Sequence, residues 1–249
     1  MLNWRRPRYV EFNVAQYIDY SLISEVLVFS NAGSTLNFCS IAKQPTLIIA
    51  NADLGLYTRY AAAVLARNEC ILHVDDDILV PEPTVERLYS HWCSDPEICH
   101  SLHGRNVQAG YSREDVFGSV EVVLTRCLMV SRTLCAHALA HVHTFDDMVC
   151  EPYGNGEDII LSFTAVQQSG RLNRAHRLPF TNHPGYGEDE VGHDCVSVHR
   201  RWPGHQRHRE RLISRCRDHF GVAKGDSTTT LAQPILGSFL QAGAAEVRR

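Results

Sequence analysis

Three consecutive carboxylates, Asp75, Asp76 and Asp77, interrupt an apolar run from Cys70 to Val80 and are the residues best placed to do chemistry. A short β-favouring run bounded by polar residues reads as a buried strand of a parallel sheet, and ligands of open α/β sheets sit beyond the carboxyl ends of such strands. Side chains alternate along an extended segment, so Asp75 and Asp77 are expected on one face and Asp76 on the other. Two converging carboxylates suit a hard divalent ion, Mn²⁺ or Mg²⁺, shared with substrate phosphates. The plain alternative is an acidic turn that caps the helix suggested by Pro83 to Leu88.

A second acidic pair, Glu157-Asp158, follows the Gly-containing stretch Tyr153-Gly154-Asn155-Gly156 and opens a helix that stops at Gly170. Carboxylates in a first turn complement the helix dipole, so this pair has an ordinary explanation too. Downstream of the acidic strand end, one of the two can serve as general base or charge stabiliser. His199, after the β-like run Cys195 to Val198, is a candidate metal ligand, and Arg200 beside it a candidate clamp on a departing diphosphate. Arg59 can reach a nucleotide or phosphate. Asn3, Arg6 and Asn31 lie at or near strand ends as candidates for base and ribose.

The elements that must position these residues follow from the same pattern. Helix is expected over about 8–20, strands over 25–29, 46–50 and 70–74, and an Ala-rich helix over 55–67 that leads into the acidic strand as part of a right-handed β-α-β unit. Further on come a helix near 84–93, a short strand near 98–102, a long strand over 121–130, a short helix over 133–140 and the 159–170 helix. A basic helix at about 204–219 reads as polar nearly all round, its charges a solvated face. The sequence predicts α/β class: a GT-A-like, Rossmann-like, mostly parallel sheet flanked by helices in a single domain over 1–220, with 221–249 a tail.

Composition narrows the function. With 249 residues, 44% of them hydrophobic, the chain can bury a sizeable core, and a net charge of −4 argues against general nucleic-acid binding. No run of about 18 apolar residues exists, so no membrane span is expected. The nine cysteines are odd in number and contain no C-x-x-C pair, which disfavours zinc-ribbon and disulfide-scaffold readings.

The order of Asn3-Trp4-Arg5-Arg6-Pro7, then Asn31, Arg59, Val74-Asp75-Asp76-Asp77 and Asn155-Gly156-Glu157-Asp158-Ile159 resembles the exostosin-type glycosyltransferases of family 64, and more broadly nucleotide-sugar glycosyltransferases of GT-A fold. The resemblance spans about residues 1–220. It implies transfer of a hexosyl or N-acetylhexosaminyl group from a nucleotide sugar, a UDP-sugar, to a hydroxyl of a glycan or other acceptor, with Mn²⁺ or Mg²⁺ and with retention of configuration. It further implies Asp77 as metal ligand with Asp75 and His199, Asp75 or Asp76 against the ribose, Asp158 as the catalytic carboxylate with Glu157 beside it, and His199 or Arg200 at the diphosphate. The compartment stays open between the cytoplasm and, given an N-terminal anchor, the Golgi or ER lumen.

This chain departs from the family pattern in three places. Gly156 stands where exostosin domains usually carry Cys, Thr125-Arg126 replaces a small Gly-containing turn before the acceptor site, and Met1-Leu2 leaves a very short first strand. Two other readings stay open: a metal-dependent phosphoesterase using Asp75, Asp77 and His residues around two ions, and a non-catalytic nucleotide-sugar-binding protein.

Overall fold

Pro7 has no backbone N–H to leave unsatisfied, and in the computed structural model it opens helix α1 (Pro7–Tyr17), whose Val10, Val14 and Tyr17 recur at helical spacing and are buried. The structure describes residues 1–4, 6–31, 35–39, 41–108, 110–149, 155–184 and 204–223. His199, Arg200 and the tail residues 224–249 therefore lie outside the described residues.

Around α1 the chain builds a parallel unit from β1 (Leu2–Asn3), β2 (Leu27–Ser30) and β3 (Thr46–Ile49), in the order β1-β2-β3. Leu2 pairs with Phe29 and Asn3 with Ser30, so β1-α1-β2 is a parallel β-α-β crossover. Of the strands the sequence placed in a mostly parallel sheet, β2 and β3 do pair in parallel here.

Two short antiparallel pairs stand apart, β5 (Ile78–Leu79) with β12 (Thr181–Asn182) and β7 (Gly104–Arg105) with β9 (Val122–Val123). The second sheet is mixed. It has the order β4-β10-β6-β11-β8, from β4 (Cys70–Val74), β6 (His100–Ser101), β8 (Gly118–Val120), β10 (Cys127–Ser131) and β11 (Asn173–Ala175). The acidic strand β4 lies at one edge and pairs antiparallel with β10, Val74 opposite Cys127. It is thus not the inner strand of a parallel sheet that its apolar run suggested, and the helix before it, α2 (Thr58–Val64), connects two different sheets. The described residues amount to an α/β unit with mixed sheets. A cavity of about 280 Å³ separates β2 from β4, lined by Glu25, Val26 and Leu27 on one side and Cys70, Ile71 and Leu72 on the other.

The single long strand expected over 121–130 is two strands, β9 (Val122–Val123) and β10, separated by a turn at Thr125-Arg126. Non-local bonds set that break. The Ser101 hydroxyl lies 2.8 Å from the carbonyls of both Leu124 and Cys127 and can donate its one proton to either, and the Arg126 carbonyl accepts the Asp75 N–H at 2.9 Å.

Helices α3 (Glu82–Ser94) and α4 (Arg132–Val142), the short α5 (Asp146–Val149), α6 (Glu157–Ser169) and α7 (His205–Phe220) complete the unit. Every residue of α6 from Glu157 to Val166 is buried, and Gly170 ends the helix in the left-handed region at φ +67°. The basic helix α7 is not solvated all round, as its composition suggested. His205, Arg209, Leu212, Ile213, Cys216 and Phe220 form a buried face against the core that holds Ile159, Ile160 and Phe163 of α6.

Each described cysteine is free, and Cys99, Cys127, Cys135 and Cys216 are buried as small apolar side chains. No described helix is long and apolar enough to cross a membrane.

Candidate functional site

Strand β4 delivers its acids into a cleft of about 390 Å³ also lined by Arg6, Arg59, Arg126, Glu157, Asp158 and Arg209. The chain turns at Asp76 and Asp77 directly after β4. All three carboxylates therefore line the cleft, and the expected alternation, with Asp76 facing away, does not occur. Asn13 of α1 fixes this turn from below, its side-chain amide donating to the carbonyls of Asp76 at 3.0 Å and Ile78 at 3.2 Å. The His183 N–H closes it by donating to the Asp77 carbonyl at 2.9 Å.

Each carboxylate of the cleft faces a guanidinium. Arg6, where the chain enters α1, lies 2.9 Å from Asp76 and 3.7 Å from Asp77. Arg59 on α2 reaches Asp75 at 3.0 Å through Nη1 and Glu157 at 3.5 Å through Nε, which couples the strand-end acids to the helix acids. Arg126 lies 3.3 Å from Asp77, and Arg209 of α7 meets Asp158 at 2.6 Å. Buried charges persist when they are paired and hydrogen-bonded, and this lattice meets that condition.

Electrostatics follow from the crowding. Burial pushes the Asp76 carboxyl up to about 7, and Arg6 beside it does not fully offset burial and the adjacent Asp75 and Asp77. Burial and Asp75 raise Asp77 as well, against the pull of Arg126 and Arg6. Glu157 is raised by burial, with Arg59 opposing and Asp158 adding to the shift. Burial disfavours the charge on Arg59, but Asp75 and Glu157 outweigh it and hold the guanidinium charged.

At the start of α6, Gly156 takes φ +138°, and a Cβ there would overlap Leu212 Cδ2 of α7. This close approach seats α7 against the helix start. Asp158 accepts the Ile159 N–H at 3.0 Å, and Glu157 accepts the Thr125 hydroxyl at 3.2 Å. The Arg209 guanidinium also bonds Asn155 and lies 4.7 Å from the centre of the Tyr111 ring.

The residues chosen from the sequence divide into three groups. Arg6, Arg59, Asp75, Asp76, Asp77, Glu157 and Asp158 meet in one cleft. Asn3 and Asn31 serve the fold: Asn3 donates to the Ser30 hydroxyl at 2.9 Å, and Asn31 bonds Gly55, Thr58 and the Leu54 N–H. His199 and Arg200 lie outside the described residues. Arg209, absent from the sequence-based site, had a readable signal. Positions 205, 209, 212, 213, 216 and 220 share one helical face, and that face ends in the apolar residues Leu212, Ile213, Cys216 and Phe220. The site role of Arg126 carried no comparable signal.

The cation implied by the family resemblance is tested by its ligand set. Asp75 and Asp77 each hold a guanidinium, and among the described residues no group of three or more His, Cys, Asp and Glu side chains is arranged to hold an ion. A divalent ion bound at Asp75 or Asp77 would have to share or displace the guanidinium of Arg59 or Arg126. What the described residues can do is receive an anion among fixed guanidinia while keeping two buried carboxylates at its edge. Comparison with protein-family models finds no matching family, and comparison with curated proteins finds no matching relative.

Proposed function

We propose that this chain is a glycosyltransferase of GT-A-like architecture that moves a sugar from a nucleotide donor, a UDP-sugar, to an acceptor hydroxyl. The observation that carries the reading is the meeting of the Asp75–Asp77 turn and the Glu157-Asp158 helix start in one cleft, joined through Arg59. In this reading the strand-end half holds the nucleotide and its diphosphate, and the α6 half holds the reacting sugar. The bond from the anomeric carbon to the diphosphate oxygen breaks, and a bond to the acceptor oxygen forms. With inversion, Asp158 takes the acceptor proton. With retention, the outcome favoured by the resemblance to family 64, Asp158 stands beside the anomeric carbon and stabilises its positive charge, and the acceptor proton passes to the departing diphosphate oxygen. Arg209 holds that carboxylate in place.

A thermal-shift screen of nucleotide sugars, in EDTA and in Mn²⁺, tests the reading. A ligand at about 100 times its Kd adds about 2.7 kcal/mol to the native state. For a chain of this size that amounts to about 5–10 °C in Tm. One nucleotide sugar is expected to raise Tm by that amount. Hydrolysis of a generic phosphodiester, with no response to any nucleotide sugar, would instead favour a phosphoesterase.

A further inference from the structure

Four guanidinia touch the acids of the cleft, and they differ in access. The side chains of Arg6, Arg59 and Arg209 are 6%, 7% and 3% exposed, as befits bridges within the protein, whereas Arg126 is 24% exposed. Arg126 is also well fixed. Its Nε lies 3.3 Å from Asp77 Oδ1, its Nη2 donates to Asn182 Oδ1 at 3.0 Å, and its guanidinium carbon lies 5.7 Å from the centre of the Phe180 ring. Its own carbonyl accepts the Asp75 N–H, so backbone and side chain of one residue fasten both ends of the acidic turn. Arg105 and Arg113 line the same cleft. Arg105 pairs with Asp115, so Arg6, Arg59, Arg113, Arg126 and Arg209 match Asp75, Asp76, Asp77, Glu157 and Asp158 in number, in a chain whose net charge is −4. The cations of the cleft balance its acids where the chain as a whole is acidic.

We propose that Arg126 is the cation that receives the diphosphate of the donor, so that the cleft holds a nucleoside diphosphate without a divalent ion. The proposal rests on the nucleotide-sugar reading above and names how that site takes its charge. A planar guanidinium matches two phosphate oxygens at once, and one oriented by a carboxylate and an amide loses little freedom when it does so. Asp77 is then the residue that aims Arg126.

Calorimetric titration of the full chain with UDP and, separately, with inorganic pyrophosphate tests this, in EDTA and in Mn²⁺. In EDTA the wild type is expected to bind both. Arg126→Ala is expected to lose about tenfold or more of affinity for each, the worth of a hydrogen-bonded charge, with Arg126→Lys in between. Arg126→Gln, which keeps a donor for Asn182, replaces the alanine variant if that one fails to melt cooperatively. Pyrophosphate binding without UDP binding would sink the nucleotide reading and leave the anion role of Arg126 standing. UDP binding that requires Mn²⁺, or that survives unchanged in EDTA in the alanine and glutamine variants, would overturn the role of Arg126 and leave the nucleotide reading intact. Binding of neither probe overturns both.

Discussion

Arg209 meets Asp158 at 2.6 Å with both side chains buried, one delivered by the second turn of α7 and the other by the first turn of α6. The pair joins two residues that are 51 positions apart in sequence. Removing one partner of a buried pair leaves a charge with nothing to balance it, at a cost of about 3–5 kcal/mol. Arg209→Met is expected to lose stability of that order in urea unfolding. The double variant Arg209→Met/Asp158→Asn is expected to recover part of the loss, because no buried carboxylate then remains unbalanced.

Gly156 sets how closely α7 approaches the start of α6. Gly156→Ala meets two obstacles, a backbone at φ +138° and the Leu212 side chain. Backbone strain of this kind costs about 1–3 kcal/mol. Gly156→Ala/Leu212→Ala relieves only the overlap, so the double variant is expected to stay less stable than Leu212→Ala alone. Equal stability of the two would place no strain at Gly156.

His176 gives the fold an acid limit. It stacks on His91 with ring centres 4.1 Å apart and shares a 3.1 Å hydrogen bond with His100. Burial first, then His91, His100 and Arg174, lower it to about 4. The unfolded chain binds this proton near pH 6.5 and the folded chain only near 4, so the stabilisation is complete above about 6.5 and is lost as pH falls toward 4. Denaturant midpoints measured from pH 7 to pH 4 are expected to fall, and His176→Gln is expected to flatten the slope. An unchanged slope in the variant would assign acid sensitivity to other groups.

The local parts of the site were legible in the sequence, and the long-range parts were not. The strand that ends in Asp75-Asp76-Asp77, the Arg59 helix and the α6 start with its Gly170 stop follow from periodicity and from residues with strong backbone preferences. The turn at Asp76-Asp77 depends on Asn13 and His183, which sequence distance conceals. The break at Thr125-Arg126 depends on Ser101 in the same way, inside a run of strand-forming residues. The sheet order differed for a related reason. A short apolar strand reads alike whether its neighbour is parallel or antiparallel, and only the partner β10 decides. Arg209 shows the opposite case: its place on one helical face with Leu212, Ile213, Cys216 and Phe220 was a local signal of burial, which the reading of this helix as polar nearly all round passed over.

The central claim is that this cleft cleaves a nucleotide sugar with Asp158 at the reacting centre. The most direct measurement is release of UDP from UDP-sugars by the purified chain, with and without Mn²⁺, in wild type and Asp158→Asn, at a temperature where melting curves show both folded. The account predicts UDP release by the wild type and a drop of about 10²–10⁴-fold in the variant, with UDP affinity retained. No release from any nucleotide sugar, or an Asp158→Asn rate equal to that of the wild type, would contradict it.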